Sequence, residues 1–126
     1  MKRLFGGSAG THMHTTLIAE GAVFEGTIRF SGTLEIEGRV IGDIFAESDS
    51  AAVIRVMRTG QVRGNIDVPL VIVNGGVTGN IKSTDHVELA AHAIVVGDVY
   101  YNLIEMMKGA QVNGSLVFNE SESRLT

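Results

Sequence analysis

Apolar and polar residues alternate with a period of two along most of the chain, most clearly between Phe24 and Ile44. In that stretch, FEGTIRFSGTLEIEGRVIGDI, every even-numbered residue is apolar or glycine, and every odd-numbered residue except Ile41 is polar or charged. A two-residue period is typical of a strand that buries one face. Helical periodicity is weak everywhere, so the pattern predicts an all-β protein.

One short motif recurs along this alternating region: an apolar residue, any residue, glycine, a small polar residue and an apolar residue. Because a short strand cannot bury its apolar face alone, such units stabilise one another by stacking as successive coils. We therefore expect a parallel β-solenoid of about six coils, with glycine at each corner, where the chain bends and neighbouring coils approach closely. The six motif glycines are Gly26, Gly42, Gly64, Gly79, Gly97 and Gly114, at steps of 16, 22, 15, 18 and 17 residues.

The residue after most of these glycines is Asp or Asn, which suits a turn position. Stacked corners would align Asp43, Asn65, Asn80 and Asp98 along one edge of the solenoid. The longest step, of 22 residues, contains FAESDSA at 45–51, which we interpret as an outward loop.

The pattern divides the chain into an aperiodic N-terminal arm (1–15), a β-helix domain (16–118) and a polar C-terminal tail (119–126). A chain of 126 residues, 44% of them apolar, predicts one domain with a real core. Its formal charge of −4 argues against a nucleic-acid partner, and it has no cysteine for a disulfide or a thiolate metal site. No apolar run reaches the roughly 20 residues of a membrane span, and no signal-peptide pattern follows Met1, so we expect a cytoplasmic protein.

The two ends of a solenoid expose unpaired strand edges and a cross-section of apolar core, which most solenoids cover with a cap. The sequence shows no amphipathic cap, and both terminal repeats are rich in large apolar side chains. Two such ends pair by strand addition, and two adhesive ends produce an open filament. The predicted polymerisation interface comprises Leu17, Ile18, Val23 and Phe24 in the first coil and Leu103, Ile104, Met106, Leu116 and Phe118 in the last.

The repeat region resembles the bactofilins, a family of bacterial cytoskeletal proteins. The resemblance covers roughly residues 16–118, and its motifs are GTLEIEGRVIGDI (32–44), VRGNI (62–66), VIVNGGVTGNI (71–81), HVELAAHAIVVGDVYYN (86–102) and IEMMKGAQVNGSL (104–116). It implies a right-handed parallel β-helix that forms non-polar filaments without nucleotide. It also implies roles in cell shape, cell-wall synthesis and the positioning of partners such as cell-wall enzymes or other cytoskeletal proteins.

Members of that family often carry a short basic and apolar membrane-targeting motif near the N-terminus. The matching segment here is Met1, Lys2, Arg3, Leu4 and Phe5. Each basic residue contributes about 1 kcal/mol at an anionic surface, so one arm binds weakly, but a filament multiplies the arms. An incidental composition of the arm is the competing interpretation.

No catalytic constellation stands out. His12, His14, His86 and His92 are the histidines, and the sequence fixes no ligand set around them, so we expect no metal or cofactor. Neither a GxSxG elbow nor a GxxxxGK[ST] loop is present, and we expect no enzyme activity. Two alternatives remain open: a trimeric hexapeptide-repeat enzyme of the acyltransferase or carbonic-anhydrase kind, and a monomeric adaptor solenoid.

Overall fold

The computed structural model describes residues 14–47 and 51–119, which form short strands and, within those ranges, no helix. The strands are β1 (Thr15–Ile18), β2 (Val23–Glu25), β3 (Ile28–Phe30), β4 (Thr33–Ile36), β5 (Arg39–Ile41), β6 (Ile44–Ala46), β7 (Val53–Val56), β8 (Gln61–Arg63), β9 (Ile66–Asp67), β10 (Leu70–Val73), β11 (Gly76–Thr78), β12 (Ile81–Lys82), β13 (His86–Leu89), β14 (Ile94–Val96), β15 (Val99–Tyr101), β16 (Leu103–Met106), β17 (Gln111–Asn113) and β18 (Leu116–Phe118).

Every third strand belongs to the same sheet. The first sheet runs β1-β4-β7-β10-β13-β16, the second β2-β5-β8-β11-β14-β17 and the third β3-β6-β9-β12-β15-β18, and all neighbours are parallel. Each group of three consecutive strands is therefore one coil, and six coils stack at the spacing of about 4.8 Å between paired strands. This confirms the predicted β-solenoid of about six coils.

The core is a set of columns that run along the solenoid axis. In the first sheet, the register aligns Leu34, Ile54, Val71 and Val87, and all four side chains are fully buried. Residues on either side of each member point outward, as the two-residue period predicts. The alternation in the sequence is thus the alternation between core and lateral surface.

The glycine corners separate the second sheet from the third. A Cβ atom placed on Gly42 would lie 1.9 Å from the carbonyl oxygen of Gly26, and one on Gly64 would lie 2.0 Å from that of Gly42. Gly79, Gly97 and Gly114 repeat this approach to the glycine one coil before them. The φ angles of Gly42 and Gly79, +147° and +148°, are ones that L side chains rarely adopt. Space and backbone conformation therefore both require glycine along this column.

A ladder of side-chain hydrogen bonds runs beside the glycine column. Asp43 Oδ1 accepts a hydrogen bond from the backbone N–H of Asn65 (3.0 Å), and Asn65 Oδ1 accepts one from that of Asn80 (2.9 Å). Asn80 and Asp98 continue the series toward Ser115. Each residue satisfies a backbone donor of the next coil, which confirms the predicted alignment of these side chains along one edge.

The predicted outward loop at 45–51 was wrong at its start. Phe45 and Ala46 lie in β6, where they pair with Arg29 and Phe30 of the preceding coil. Residues 48–50 of that segment lie outside the described residues, as do 1–13 of the predicted arm and 120–126 of the predicted tail. Among the described residues, no helix is long and apolar enough to span a membrane.

Candidate assembly interface

The C-terminal end of the solenoid is a cut surface of its core. β16, β17 and β18 each occupy the edge of their sheet. Met106 continues the column of Leu89, and Leu116 continues that of Val99. Leu89 and Val99 are fully buried, whereas Met106 and Leu116 are 44% and 45% exposed. The same kind of side chain is buried inside the solenoid and open to solvent at its end, because no further coil covers it within the described residues.

Phe118 completes this surface on the third sheet. It follows Tyr101 in register, and the two rings pack in a tilted arrangement with their centroids 5.9 Å apart. In the part of the chain that the structure describes, no coil covers the opposite face of the Phe118 ring, and 46% of the residue is exposed. Ile104 and Val112 lie on core columns of the same coil and are half-buried.

The N-terminal end has the same construction. β1, β2 and β3 are the opposite edges of the three sheets. Phe24 lies on the column of the buried Val40 but is itself 40% exposed. Ile18 precedes the buried Ile36 in its column and is half-buried. Both ends of the molecule therefore present apolar side chains beside unpaired strand edges.

The structure separates the residues of the predicted interface into two groups. Ile18, Phe24, Ile104, Met106, Leu116 and Phe118 lie on core columns at the ends. By strand alternation, the other three point outward on the lateral surface: Leu17 aligns with Glu35, Val23 with Arg39, and Leu103 with His86. These three border the ends rather than cover the core.

Sequence reasoning missed several members of the two end surfaces: Thr16, Ile28 and Phe30 at the N-terminal end, and Tyr101 and Val112 at the C-terminal end. The alternation itself was the signal that could have found them. Thr16 and Ile28 continue the even-numbered apolar series that begins the chain's clearest repeat, and they share core columns with Leu34 and Ile44.

The family model of the bactofilins, described as polymer-forming cytoskeletal proteins, matches residues 16–117. The chain belongs to the bactofilin family. It is similar to two bactofilins of Myxococcus xanthus. It is 33% identical to BacO over 112 residues, which cover 89% of this chain and 86% of BacO. It is 28% identical to BacP over 115 residues, which cover 91% of this chain but only 46% of BacP. No solved structure matches the chain.

Membership of the bactofilins assigns this chain to a cytoskeletal, polymer-forming family and confirms the resemblance seen in its motifs. A cytoskeletal family disfavours the trimeric-enzyme alternative. This bactofilin spans less than half of BacP, so the activities and partners of the longer relative do not transfer to it as findings. The candidate membrane segment Met1–Phe5 lies outside the described residues.

Proposed function

We propose that this bactofilin assembles end to end, without nucleotide, into non-polar filaments that act as a scaffold for cell shape or the cell-wall machinery. The observation that carries the proposal is the exposure of core columns at both ends of one solenoid. Phe24 and Phe118 occupy opposite ends, and each is far more exposed than the residue that aligns with it in the next coil inward.

The apolar surfaces favour association through their burial. Complete burial of one side chain such as Met106, Leu116 or Phe118 contributes about 1.5–3 kcal/mol. A junction buries several of them from each partner, against a cost of about 4–15 kcal/mol for immobilising one body on another. Hydrophobic burial alone is thus comparable to that cost.

The strand edges supply the second contribution. β16, β17 and β18 present backbone groups without a ladder partner on one side, as do β1, β2 and β3 at the other end. A second copy placed on either end extends all three sheets at once. Because the three sheets surround one core, the hydrogen bonds and the apolar contacts form together, and they fix the orientation of the junction.

Two adhesive ends on one rigid body lead to an open polymer rather than a closed dimer. In the non-polar arrangement implied by the family resemblance, C-terminal ends pair with C-terminal ends and N-terminal ends with N-terminal ends. Each junction then has two-fold symmetry, and the resulting filament has no direction. No step of this assembly draws on nucleotide hydrolysis.

We further propose a location at the cytoplasmic face of the inner membrane. Lys2 and Arg3 beside Leu4 and Phe5 provide a basic and apolar contact, and a filament multiplies it by its number of subunits. Cell-wall enzymes or other cytoskeletal proteins are the proposed partners of the scaffold.

Electron microscopy of the purified protein without nucleotide tests the assembly, with Phe118→Arg as the disrupting variant. Ile94→Arg is the matched control, because Ile94 is also 46% exposed but lies on the lateral surface of β14. We expect filaments for the wild type and for Ile94→Arg, and short soluble species with unchanged β circular dichroism for Phe118→Arg. Filaments that persist in Phe118→Arg would place the junction elsewhere, and discrete trimers of the wild type would support the enzyme alternative.

A further inference from the structure

Three metal-ligating side chains meet on the outer face of the first sheet, beside its C-terminal edge. His86 and Glu88 are two residues apart on β13, so both project from the same face of the strand. Glu105 on β16 pairs directly with Glu88. One ligand atom from each of the three side chains lies within 4.8 Å of the others. We propose that His86, Glu88 and Glu105 bind a zinc ion.

The geometry of the cluster already approaches that of a zinc site. Zinc binds imidazole nitrogen and carboxylate oxygen at about 2.0–2.2 Å, so two ligand atoms of a tetrahedral site lie about 3.3 Å apart. His86 Nε2 lies 3.2 Å from Glu105 Oε1. Glu88 needs only a side-chain adjustment within the 4.8 Å limit to complete a three-ligand face. The backbone register therefore holds all three ligands in place before the ion arrives.

Electrostatics also favour a cation at this position. Glu88 and Glu105 are directly opposed in neighbouring strands, an arrangement in which like charges destabilise a sheet. Along the same column the nearest basic residue is Arg55, which is separated from Glu88 by Ile72. Within the described part of the chain, the ion-pair partner at this cluster is His86 itself, which contacts Glu105. A bound divalent ion would neutralise the two carboxylates together.

The mixed ligand set selects the class of ion. Calcium prefers six to eight oxygen ligands, and magnesium keeps most of its waters, whereas zinc combines imidazole with carboxylate. Three protein ligands leave a fourth position for water. Because His86 and Glu88 belong to the fifth coil and Glu105 to the sixth, the ion would fasten the last coil to the one before it.

Equilibrium dialysis of the full-length, untagged protein against Zn²⁺ tests the site. The background variant carries His12→Ala and His14→Ala, which removes the competing HMH segment of the N-terminal arm. We expect one zinc ion per subunit in this background, binding weakened by about tenfold or more in Glu105→Gln and His86→Ala, and no comparable binding of Mg²⁺ or Ca²⁺. Glu105→Gln alters an exposed, isosteric side chain, so its fold is expected to survive, and circular dichroism checks this.

His92→Ala is the matched control, because His92 is an exposed histidine on the turn after β13 and outside the cluster. Its zinc binding should equal that of the background. The proposal is overturned if the background binds no zinc, or if His86→Ala and folded Glu105→Gln bind as the background does. Repeating the measurement with Phe118→Arg separates the site from assembly, since dispersed protein should bind zinc equally well.

Discussion

Gly97 packs directly on Gly79 at the corner between the second and third sheets, where a Cβ atom on Gly97 would lie 2.1 Å from the carbonyl oxygen of Gly79. The same approach recurs from coil to coil, so the spacing of the solenoid depends on the absence of side chains along one line. The stability of the coils and the shape of their exposed ends both follow from this stacking.

Gly79→Ala should destabilise the fold severely. The new methyl group would meet the carbonyl oxygen of Gly64 at 2.0 Å, and the φ of +148° is unfavourable for alanine. We expect a loss of about 3 kcal/mol or more in the free energy of unfolding. Urea denaturation measures it in the double end variant Phe24→Arg/Phe118→Arg, in which assembly does not contribute to stability.

Gly21→Ala is the control for this prediction. Gly21 also has a positive φ, +92°, but no atom lies within 4 Å of the position that the alanine methyl group would take. Only the backbone penalty of about 1–2 kcal/mol remains. Equal losses at the two glycines would show that close stacking does not determine the cost.

Asn80→Ala should break one step of the hydrogen-bond ladder. Asn80 Oδ1 accepts the backbone N–H of Asp98 at 2.9 Å, and alanine leaves this partly buried donor without its partner. We expect a loss of about 1–3 kcal/mol in the same denaturation assay. Asn80→Asp keeps an acceptor oxygen, as Asp43 does at the equivalent corner, and should lose less. An Asp variant as unstable as the Ala variant would contradict the role of the acceptor.

Leu89→Ala and Met106→Ala should separate folding from assembly. The two side chains are neighbours in one column, but Leu89 is fully buried and Met106 is 44% exposed. In the double end variant, Leu89→Ala should cost about 2–5 kcal/mol, and Met106→Ala less than half as much. In the otherwise wild-type chain, Met106→Ala should instead raise the protein concentration needed for filaments, measured by sedimentation. A Met106→Ala chain that assembles normally would remove this residue from the junction.

The repeat made the fold predictable, because each coil repeats the same physical problem. The motif around Gly42, Gly64 and Gly79 marks the corner of a coil, and the alternation marks which residues face inward. Prediction failed where that rule was not applied to individual residues. Leu17 and Leu103 were assigned to the ends for their hydrophobicity, although the register aligns them with Glu35 and His86 on the lateral surface.

Contacts between coils were harder to foresee than the coils themselves. The motif steps vary from 15 to 22 residues, so the sequence does not show which residues of neighbouring coils become partners. His86 and Glu105 are 19 residues apart, and only the paired register of β13 and β16 brings their side chains together. Phe45 was assigned to a loop because polar residues follow it, but its pairing with Arg29 extends the strand.

The size of the end variants tests the central claim, end-to-end assembly in a non-polar filament, most directly. Analytical ultracentrifugation would compare Phe24→Arg, Phe118→Arg and the double variant, with Ile94→Arg as the lateral control. We predict dimers for each single end variant, because the unaltered ends still pair with each other, monomers for the double variant, and filaments for Ile94→Arg. Monomers from both single variants would contradict the non-polar arrangement, and filaments from the double variant would contradict assembly through the ends.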